Sequence, residues 1–350
     1  MITSLRLQNF RSYSDDSFEF EDGVNIIVGP NGAGKTNLLE ALLMLASGSS
    51  YRGRDFQMVK FDSKWARLDG GISGEQQRTL KLQDINGEKV DKTFEIGGNV
   101  FKRLTSARRL PVVVFEPNHL FLLQDEPAAR RDYIDLVCEQ INPSYEKTRR
   151  DFRRVLMQRN SLLKAGASDS QFFVWDVQFC QLAERLVSER LDVVAQINKL
   201  LTKTYKQLGG KVNKLEIIYQ STIPTGDNYS NQLIRKITNH RQQELERGFT
   251  IYGPQRDDIT LLFDGIDARQ RASRGEIRTT LLALKIIEIE LIGLRQKPIL
   301  LLDDVFSELD GHRRRALAER LKDYQTFITT TDADVVIEHF QGTATILPIS

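Results

Sequence analysis

Cysteine is almost absent. Only Cys138 and Cys180 occur in 350 residues, each inside an apolar helical pattern and away from any metal-ligand spacing. That excludes a disulfide framework and a cysteine metal site, and it leads one to expect a reducing compartment such as the cytoplasm. Histidine is scarce too. His119, His240, His312 and His339 stand singly, without ligand spacing, and read as surface or capping residues. No apolar run reaches bilayer-spanning length, and Met1-Ile2-Thr3-Ser4 leads straight into strand-like alternation, so neither a signal peptide nor a membrane partner is expected. An excess of one charge is also missing: 49 Lys and Arg stand against 47 Asp and Glu, a net of +2. Without a global field, a polyanion has to be met by a local patch. Internal repeats and low-complexity stretches are lacking as well.

What is present centres on Gly29-Pro30-Asn31-Gly32-Ala33-Gly34-Lys35-Thr36, which fits the P-loop pattern G-x-x-x-x-G-K-[ST]. Val24–Val28 reads as a buried strand entering the loop, and Thr36–Ala46 as a helix leaving it. The glycines let successive backbone N–H groups face a phosphate, and the helix N-terminus adds partial positive charge. Lys35 is placed to reach the β- and γ-phosphates of ATP, and Thr36 to put its hydroxyl on Mg²⁺.

The second half of such a site stands near the other end of the chain. Ile299-Leu300-Leu301-Leu302-Asp303-Asp304 is an apolar strand ending in carboxylates, the Walker B pattern. Its last side chains fall at the carboxyl edge of the sheet, where open α/β sheets bind ligands. Asp303 is expected to hold Mg²⁺ opposite Thr36, and Asp304 to orient or deprotonate an attacking water. Arg271-Ala272-Ser273-Arg274-Gly275-Glu276 opens a helix and resembles the signature element of ATP-binding-cassette (ABC) ATPases. In that superfamily, Ser273 and Gly275 with Glu276 would meet the γ-phosphate held by a second protomer. Ser307-Glu308-Leu309-Asp310 resembles the D-loop. Thr331 and Asp332 stand where a switch residue, often histidine, is found.

Between these motifs, Ile2–Phe10 alternates as a half-buried strand, and 65–114 reads as antiparallel, with turns at Asn86-Gly87 and Gly97-Gly98-Asn99. Leu110–Phe115 is an apolar strand that stops at Glu116-Pro117-Asn118. Pro127 opens a helix. Ser144–Lys164 and Phe173–Leu208 form a helical hairpin whose longer arm reaches about 50 Å, too short for a long coiled coil. On the first of these helices, Tyr145, Phe152, Val155, Leu156, Leu162 and Leu163 make an apolar stripe. Lys147, Arg149, Arg150, Arg153, Arg154 and Arg159 make the opposite face. Lys214–Gln220 and Ile259–Phe263 read as strands, Asn231–Arg247 as one polar helix, and 275–347 as α/β alternation with a parallel sheet. The expected domains are 1–125 (ATPase lobe I, the P-loop with an antiparallel β subdomain), 126–248 (inserted helical arm) and 249–350 (ATPase lobe II with signature, Walker B and D-loop). An α/β fold is expected, and the long insertion between Lys35 and Asp303 resembles the SMC/Rad50-like branch of P-loop ABC-ATPase heads, here with an antiparallel β subdomain and a short arm.

Taken together, Leu7–Tyr13 (LQNFRSY), Gly29–Glu40, Pro127–Asp135 (PAARRDYID), Gln158–Lys164 (QRNSLLK), Gly253–Asp258 (GPQRDD), Leu302–Asp310 and Thr329–Asp332 resemble the RecF family of bacterial recombination and repair proteins over essentially the whole chain. Gln255 departs from the family pattern, which usually has histidine there, as does Glu276-Ile277 within the signature. The resemblance implies a weak ATPase that binds ATP and Mg²⁺ and dimerises on ATP. It implies DNA binding at single-strand gaps and recombinase loading with RecO and RecR, in replication, recombinational repair and the SOS response. It places Arg11 and Asn37 with the nucleotide. The DNA contacts expected are Arg149, Arg150, Arg153, Arg154 and Arg52, although a charge run is also the ordinary face of a solvated helix, and Arg52 suits a nucleotide contact equally. The motifs alone also admit a transport ATPase subunit, with a membrane partner, or another SMC-like head with longer arms.

Overall fold

The alternation in Ile2–Phe10 becomes strand β1 (Ile2–Phe10), which pairs antiparallel with both β2 (Tyr13–Glu19) and β4 (Trp65–Ile72). β5 (Arg78–Asp84), β6 (Val90–Ile96) and β7 (Asn99–Phe101) extend this into a six-stranded sheet of order β2-β1-β4-β5-β6-β7. The structure is a computed structural model, describing residues 1–50, 52–74, 77–116, 127–340 and 344–350. His119 and the Pro117-Asn118 strand stop lie outside the described residues.

A second, parallel sheet runs in the order β14-β3-β13-β12-β8. Its strands are β3 (Val24–Val28), β8 (Val112–Phe115), β12 (Ile299–Asp303), β13 (Thr326–Thr330) and β14 (Ala344–Pro348). Residues 65–114 are therefore not wholly antiparallel, as the sequence reading has them: β8 lies parallel to β12. The physical reason is in its composition. Val112-Val113-Val114-Phe115 has no polar alternation, which suits a strand covered on both faces. The helix after the P-loop, α1 (Lys35–Ser47), is buried from Leu38 through Ala46. A helix apolar all round has to sit inside, and α1 packs on strands of both sheets. The side chain of Gln325, just before β13, ties the sheets together. It accepts from the Ile2 amide at 2.8 Å and donates to the Ile2 carbonyl at 2.6 Å.

By packing, the chain divides into two compact units, Met1–His119 with Glu288–Ser350, and Leu120–Ile287. The division differs from the expected boundary at 248/249. β10 (Asp258–Phe263) pairs antiparallel with β9 (Leu215–Gln220) along its whole length, and with β11 (Ile266–Asp267). That ladder keeps residues 249–287 with the helices.

The second unit holds α2 (Pro127–Ile141), α3 (Pro143–Lys164), α4 (Asp169–Gln207), α5 (Tyr229–Asn239), α6 (Arg241–Arg247) and α7 (Ala268–Arg271), and α8 (Arg274–Gly293) begins in it. α3 starts on Asn142, whose side chain accepts from the Ser144 amide at 3.1 Å, with Pro143 in the first turn. Its partner α4 has 39 residues, about 58 Å at 1.5 Å per residue, longer than the reading from sequence. The segment 231–247 is two helices, not one. The backbone breaks at His240, whose ring bonds back to the Lys236 carbonyl at 2.9 Å and meets Tyr252 edge-on.

Arg159 also departs from expectation. It is fully buried, not on the polar face. Its guanidinium donates to Asp176 at 2.8 Å, to Glu244 at 2.5 Å and to the Thr250 hydroxyl at 2.5 Å. Burying a charge is tolerated only when it is paired and hydrogen-bonded, and here one arginine joins α3, α4 and α6. The motif 253–258 is held by similar means. Arg130 forks onto Asp258 with two bonds of 2.7 Å, Arg131 donates to the Asp257 carbonyl, and Tyr219 donates to the Asp257 carboxylate at 2.7 Å. Burial pushes the Asp257 carboxyl above its ordinary pKa. Burial acts the same way on Asp258, but the Arg130 bonds, the Ile259 amide and the charges of Arg130 and Arg269 together outweigh it and its pKa is lowered.

Removing a partner from a buried ion pair leaves an uncompensated charge and costs about 3–5 kcal/mol. Arg159→Ala is expected to lose that much in urea unfolding, whereas Arg150→Ala on the exposed face stays within about 0.5 kcal/mol of wild type.

Candidate nucleotide site

The site is built at the carboxyl ends of β3, β13 and β12, three neighbours in the parallel sheet. Val24–Val28 enters the P-loop with four of its five residues buried. Gly34, with φ +97°, hands the chain to α1. A Cβ there would lie 2.9 Å from the Ser12 hydroxyl and 3.0 Å from the Tyr13 hydroxyl, so both the left-handed backbone and the close approach require glycine. Tyr13 donates to the Gly34 carbonyl at 3.1 Å. Pro30, Asn31 and Gly32 are exposed at the loop tip, and Gly29 and Ala33 are half-buried.

Lys35 is nearly buried and folds over the loop. Its ammonium donates to the carbonyls of Gly29 at 2.7 Å and Pro30 at 2.9 Å, a cation held against its own loop. Thr36 donates to Asp303, 2.9 Å from Oδ1 and 3.1 Å from Oδ2, although 267 positions separate them. Thr329, at the end of β13, donates to Asp303 Oδ1 at 2.9 Å and accepts from the Asp304 amide at 2.9 Å. Asp304 sits at φ +51°, a strained conformation of the kind that clusters at functional sites. Its Oδ1 is buried with no partner among the described residues. The Ser307 hydroxyl donates to the Asp304 carbonyl at 2.7 Å. Asp310 caps α9 (Gly311–Leu321) by accepting from the Arg313 amide at 2.9 Å, and that bond lowers its pKa. Thr331 is exposed just past β13 and ahead of the short α10 (Asp334–Ile337).

The donors suit a magnesium ion. One hydroxyl and one carboxylate, both hard oxygens, stand side by side, and the next residue in the chain, Asp304, has an unpartnered oxygen. Mg²⁺ is ordinarily held in this way, by one or two carboxylates with water and substrate phosphates.

Two arginines approach the same place. Arg11, at φ +51° in the turn after β1, pairs with buried Glu40 at 2.8 Å. Arg52 donates to Asp303 Oδ2 at 2.7 Å and lies 3.8 Å from Glu116. Arg52 thus sits against a carboxylate of the candidate nucleotide site. Tyr51 lies outside the described residues. Asn37 donates to the Ser12 hydroxyl at 2.9 Å. A cavity of about 650 Å³ opens beside this point, lined by Arg11, Ser12, Asn37, Lys60 and Phe61 among others. Phe61 is 89% exposed there.

The signature segment lies in the other unit. Ser273 donates from both its amide and its hydroxyl to Glu276 Oε2, each at 2.8 Å, and these bonds hold the Glu276 carboxyl below its usual range. Ser273 and Gly275 are exposed. The basic face of α3 divides. Arg149 is enclosed by Asp132 at 2.6 Å, Asp135 at 2.9 Å and Glu139 at 2.9 Å. It is 14% exposed, and three carboxylates already neutralise it. Arg150, Arg153 and Arg154 are exposed.

Sequence reading missed Glu40 and Thr329. Glu40 could have been found as the lone carboxylate in an apolar helix. Thr329 had no such signal, because a threonine ending a strand is ordinary.

A P-loop and a Walker B strand closing on one carboxylate, with a D-loop after it and a signature serine at a helix start, define an ATPase head of the ABC class. Residues 1–346 match the family described as RecF/RecN/SMC N terminal domain. The DNA replication and repair protein RecF of Heliobacterium modesticaldum is 37% identical, over 94% of this chain and 92% of that one. That of Acetivibrio thermocellus is 33% identical, over 95% and 94%. A solved recombination mediator protein RecF in complex with ATP, described as part of the RecFOR pathway, superposes with a TM-score of 0.85 at 28% identity, covering 95% of this chain and 92% of that one. An Smc head bound to the C-winged helix domain of ScpA shares the fold, with a TM-score of 0.57 at 15% identity over 97% and 91%. The chain belongs to the RecF branch of the RecF/RecN/SMC N-terminal-domain family.

Thr329→Val is close to isosteric, removes the bond to Asp303 and leaves the Asp304 amide without its acceptor. The expected cost is about 1–3 kcal/mol, read as a lower urea midpoint with an unchanged slope.

Proposed function

We propose that this chain is an ATP-binding recombination mediator that acts on DNA in replication and repair, and that uses a slow ATPase cycle as a conformational switch. The observation that carries the reading is the contact of Thr36 with Asp303, because it closes the two halves of a nucleotide site. Lys35, Gly29, Pro30, Asn31, Gly32, Ala33 and Gly34 hold the triphosphate, and Thr36 and Asp303 hold Mg²⁺. The nucleoside fits the cavity beside Arg11, Ser12 and Asn37, whose volume exceeds that of a base and ribose. Bound Mg²⁺ would neutralise phosphate charge. Asp304, with its buried unpartnered oxygen, accepts a hydrogen bond from the attacking water and orients it. Thr331, with Ser307 and Asp310, belongs to the switch and D-loop segments that would respond to the nucleotide.

Ser273, Gly275 and Glu276 serve a second copy of the chain. A hydroxyl and a helix-start amide bind anions, and in a dimer they would meet the γ-phosphate on the partner's P-loop. ATP then favours the closed dimer because it binds that state better. Arg150, Arg153 and Arg154 supply the phosphate-binding face, and the chain works with RecO and RecR to load recombinase at single-strand gaps, as part of the SOS response in the cytoplasm. The support is the solved RecF with ATP, named as a recombination mediator in the RecFOR pathway, at an identity above the level where only the fold is shared. Among the described residues no helix is long and apolar enough to cross a membrane.

Light scattering tests the switch. The expected mass is a monomer without nucleotide and a dimer with ATP and Mg²⁺, with Lys35→Met monomeric throughout. A mass indifferent to ATP overturns ATP-gated closure.

The arm is tested by charge reversal. Arg150→Glu with Arg154→Glu is expected to weaken duplex DNA binding and to flatten its log-salt slope by about two, with ATP binding unchanged. An unchanged slope removes the arm from the DNA site.

A further inference from the structure

Glu40 lies one helical turn beyond Thr36 on α1 and is 1% exposed. It is a carboxylate within an apolar run, and such a group is kept only when it is paired. Its two oxygens divide their partners. Oε2 accepts from Arg11 Nε at 2.9 Å and lies 2.8 Å from Arg11 Nη2. Oε1 accepts from the Ser50 hydroxyl. The Ser50 oxygen then accepts from the amides of Arg52 at 3.1 Å and Gly53 at 3.2 Å. Arg52, fixed at its backbone in this way, reaches Asp303 at 2.7 Å. The two branches run side by side, since a Cβ on Gly53 would stand 3.3 Å from Arg11 Nη2.

We propose that Glu40 is the positioning residue of the nucleotide site, setting the reach of Arg11 with one oxygen and, through Ser50, that of Arg52 with the other. This rests on the reading of the site as one for ATP and Mg²⁺. The consequence is specific. A guanidinium on Asp303 Oδ2 and a divalent cation beside Thr36 draw on the same carboxylate, so Arg52 held against Asp303 opposes metal entry. Glu40 thereby sets how much metal the site requires. Loosening the 50–53 loop frees Asp303 for the metal, and loss of the carboxylate also lets Arg11 drift from the P-loop.

The experiment is ATP binding by calorimetry across a Mg²⁺ titration, on the full chain. Ser50→Ala cuts only the branch to Arg52, and is expected to move the Mg²⁺ midpoint of ATP binding about threefold lower, a shift Arg52→Ala shares. Ser50→Thr keeps the hydroxyl and returns the wild-type midpoint, which a merely structural role would not predict. Glu40→Gln keeps the volume but not the charge, and is expected to weaken ATP binding about tenfold at saturating Mg²⁺ (about 1.4 kcal/mol). Should Glu40→Gln fail to fold, the serine pair still decides. Wild-type midpoints in Ser50→Ala, or wild-type affinity in a folded Glu40→Gln, overturn the proposal while leaving the nucleotide site intact. A wild-type chain that binds no ATP at any Mg²⁺ concentration overturns the nucleotide reading and this proposal with it.

Discussion

The carboxylate of Asp303 is the constraint on which the first unit turns. It is 5% exposed, and a carboxylate taken out of water is costly unless it is hydrogen-bonded and paired. Thr36 on α1, Thr329 on β13 and Arg52 from the loop after α1 all supply bonds to it. Each comes from a different stretch of the chain. The three meet only if β3, β13 and β12 lie adjacent and parallel, because that order brings their carboxyl ends to one edge. A slip of one residue in β12 would turn Asp303 to the opposite face. The left-handed backbone at Asp304 follows from the same arrangement, with its amide tied to Thr329 while the chain turns off the strand.

The antiparallel sheet has a subordinate but definite role, which is to hold the P-loop helix at both ends. At the N-terminal end, the turn between β1 and β2 brings Tyr13 to the Gly34 carbonyl and Arg11 to Glu40. At the C-terminal end, buried Arg78 donates to the Leu45 carbonyl at 3.2 Å and Lys92 donates to the Gly48 carbonyl at 2.8 Å. Cations at that end also complement the helix dipole. Gly70 of β4 fits the same purpose, since a Cβ there would lie 2.1 Å from Leu45. The P-loop is thus mounted on a helix with little freedom to shift.

In the second unit, order comes from arginines that bridge helices to carboxylates. Arg159 and Arg130 are two of these. Arg190 is a third, joining Asp135 at 2.8 Å and 3.1 Å to the Pro254 carbonyl at 2.9 Å. Breaking such networks is expensive because the remaining charge has no water to turn to. The segment Gly253–Asp258, distinctive in the sequence, is therefore bound into the body of its unit through Pro254, Asp257 and Asp258.

The sequence by itself determined the P-loop, the Walker B strand, the helical hairpin and most strands, because each depends on a local pattern: glycine spacing, apolar periodicity or a proline at a helix start. β3 and β13 fall where the patterns put them. Tertiary structure alone decided which cations face solvent. Arg149, Arg153 and Arg159 look alike along a helix, yet the first is enclosed by three carboxylates, the second is exposed and the third is buried. Nothing within a few residues of them distinguishes these fates, since the partners stand on other helices. The same holds for Arg52, whose partner is 251 positions away, and for β8, whose direction is set by β12. Glu40 shows the limit most plainly. Its burial was implied by its apolar neighbours, but its two partners come from segments on either side of the P-loop, and only the folded chain brings them to one carboxylate.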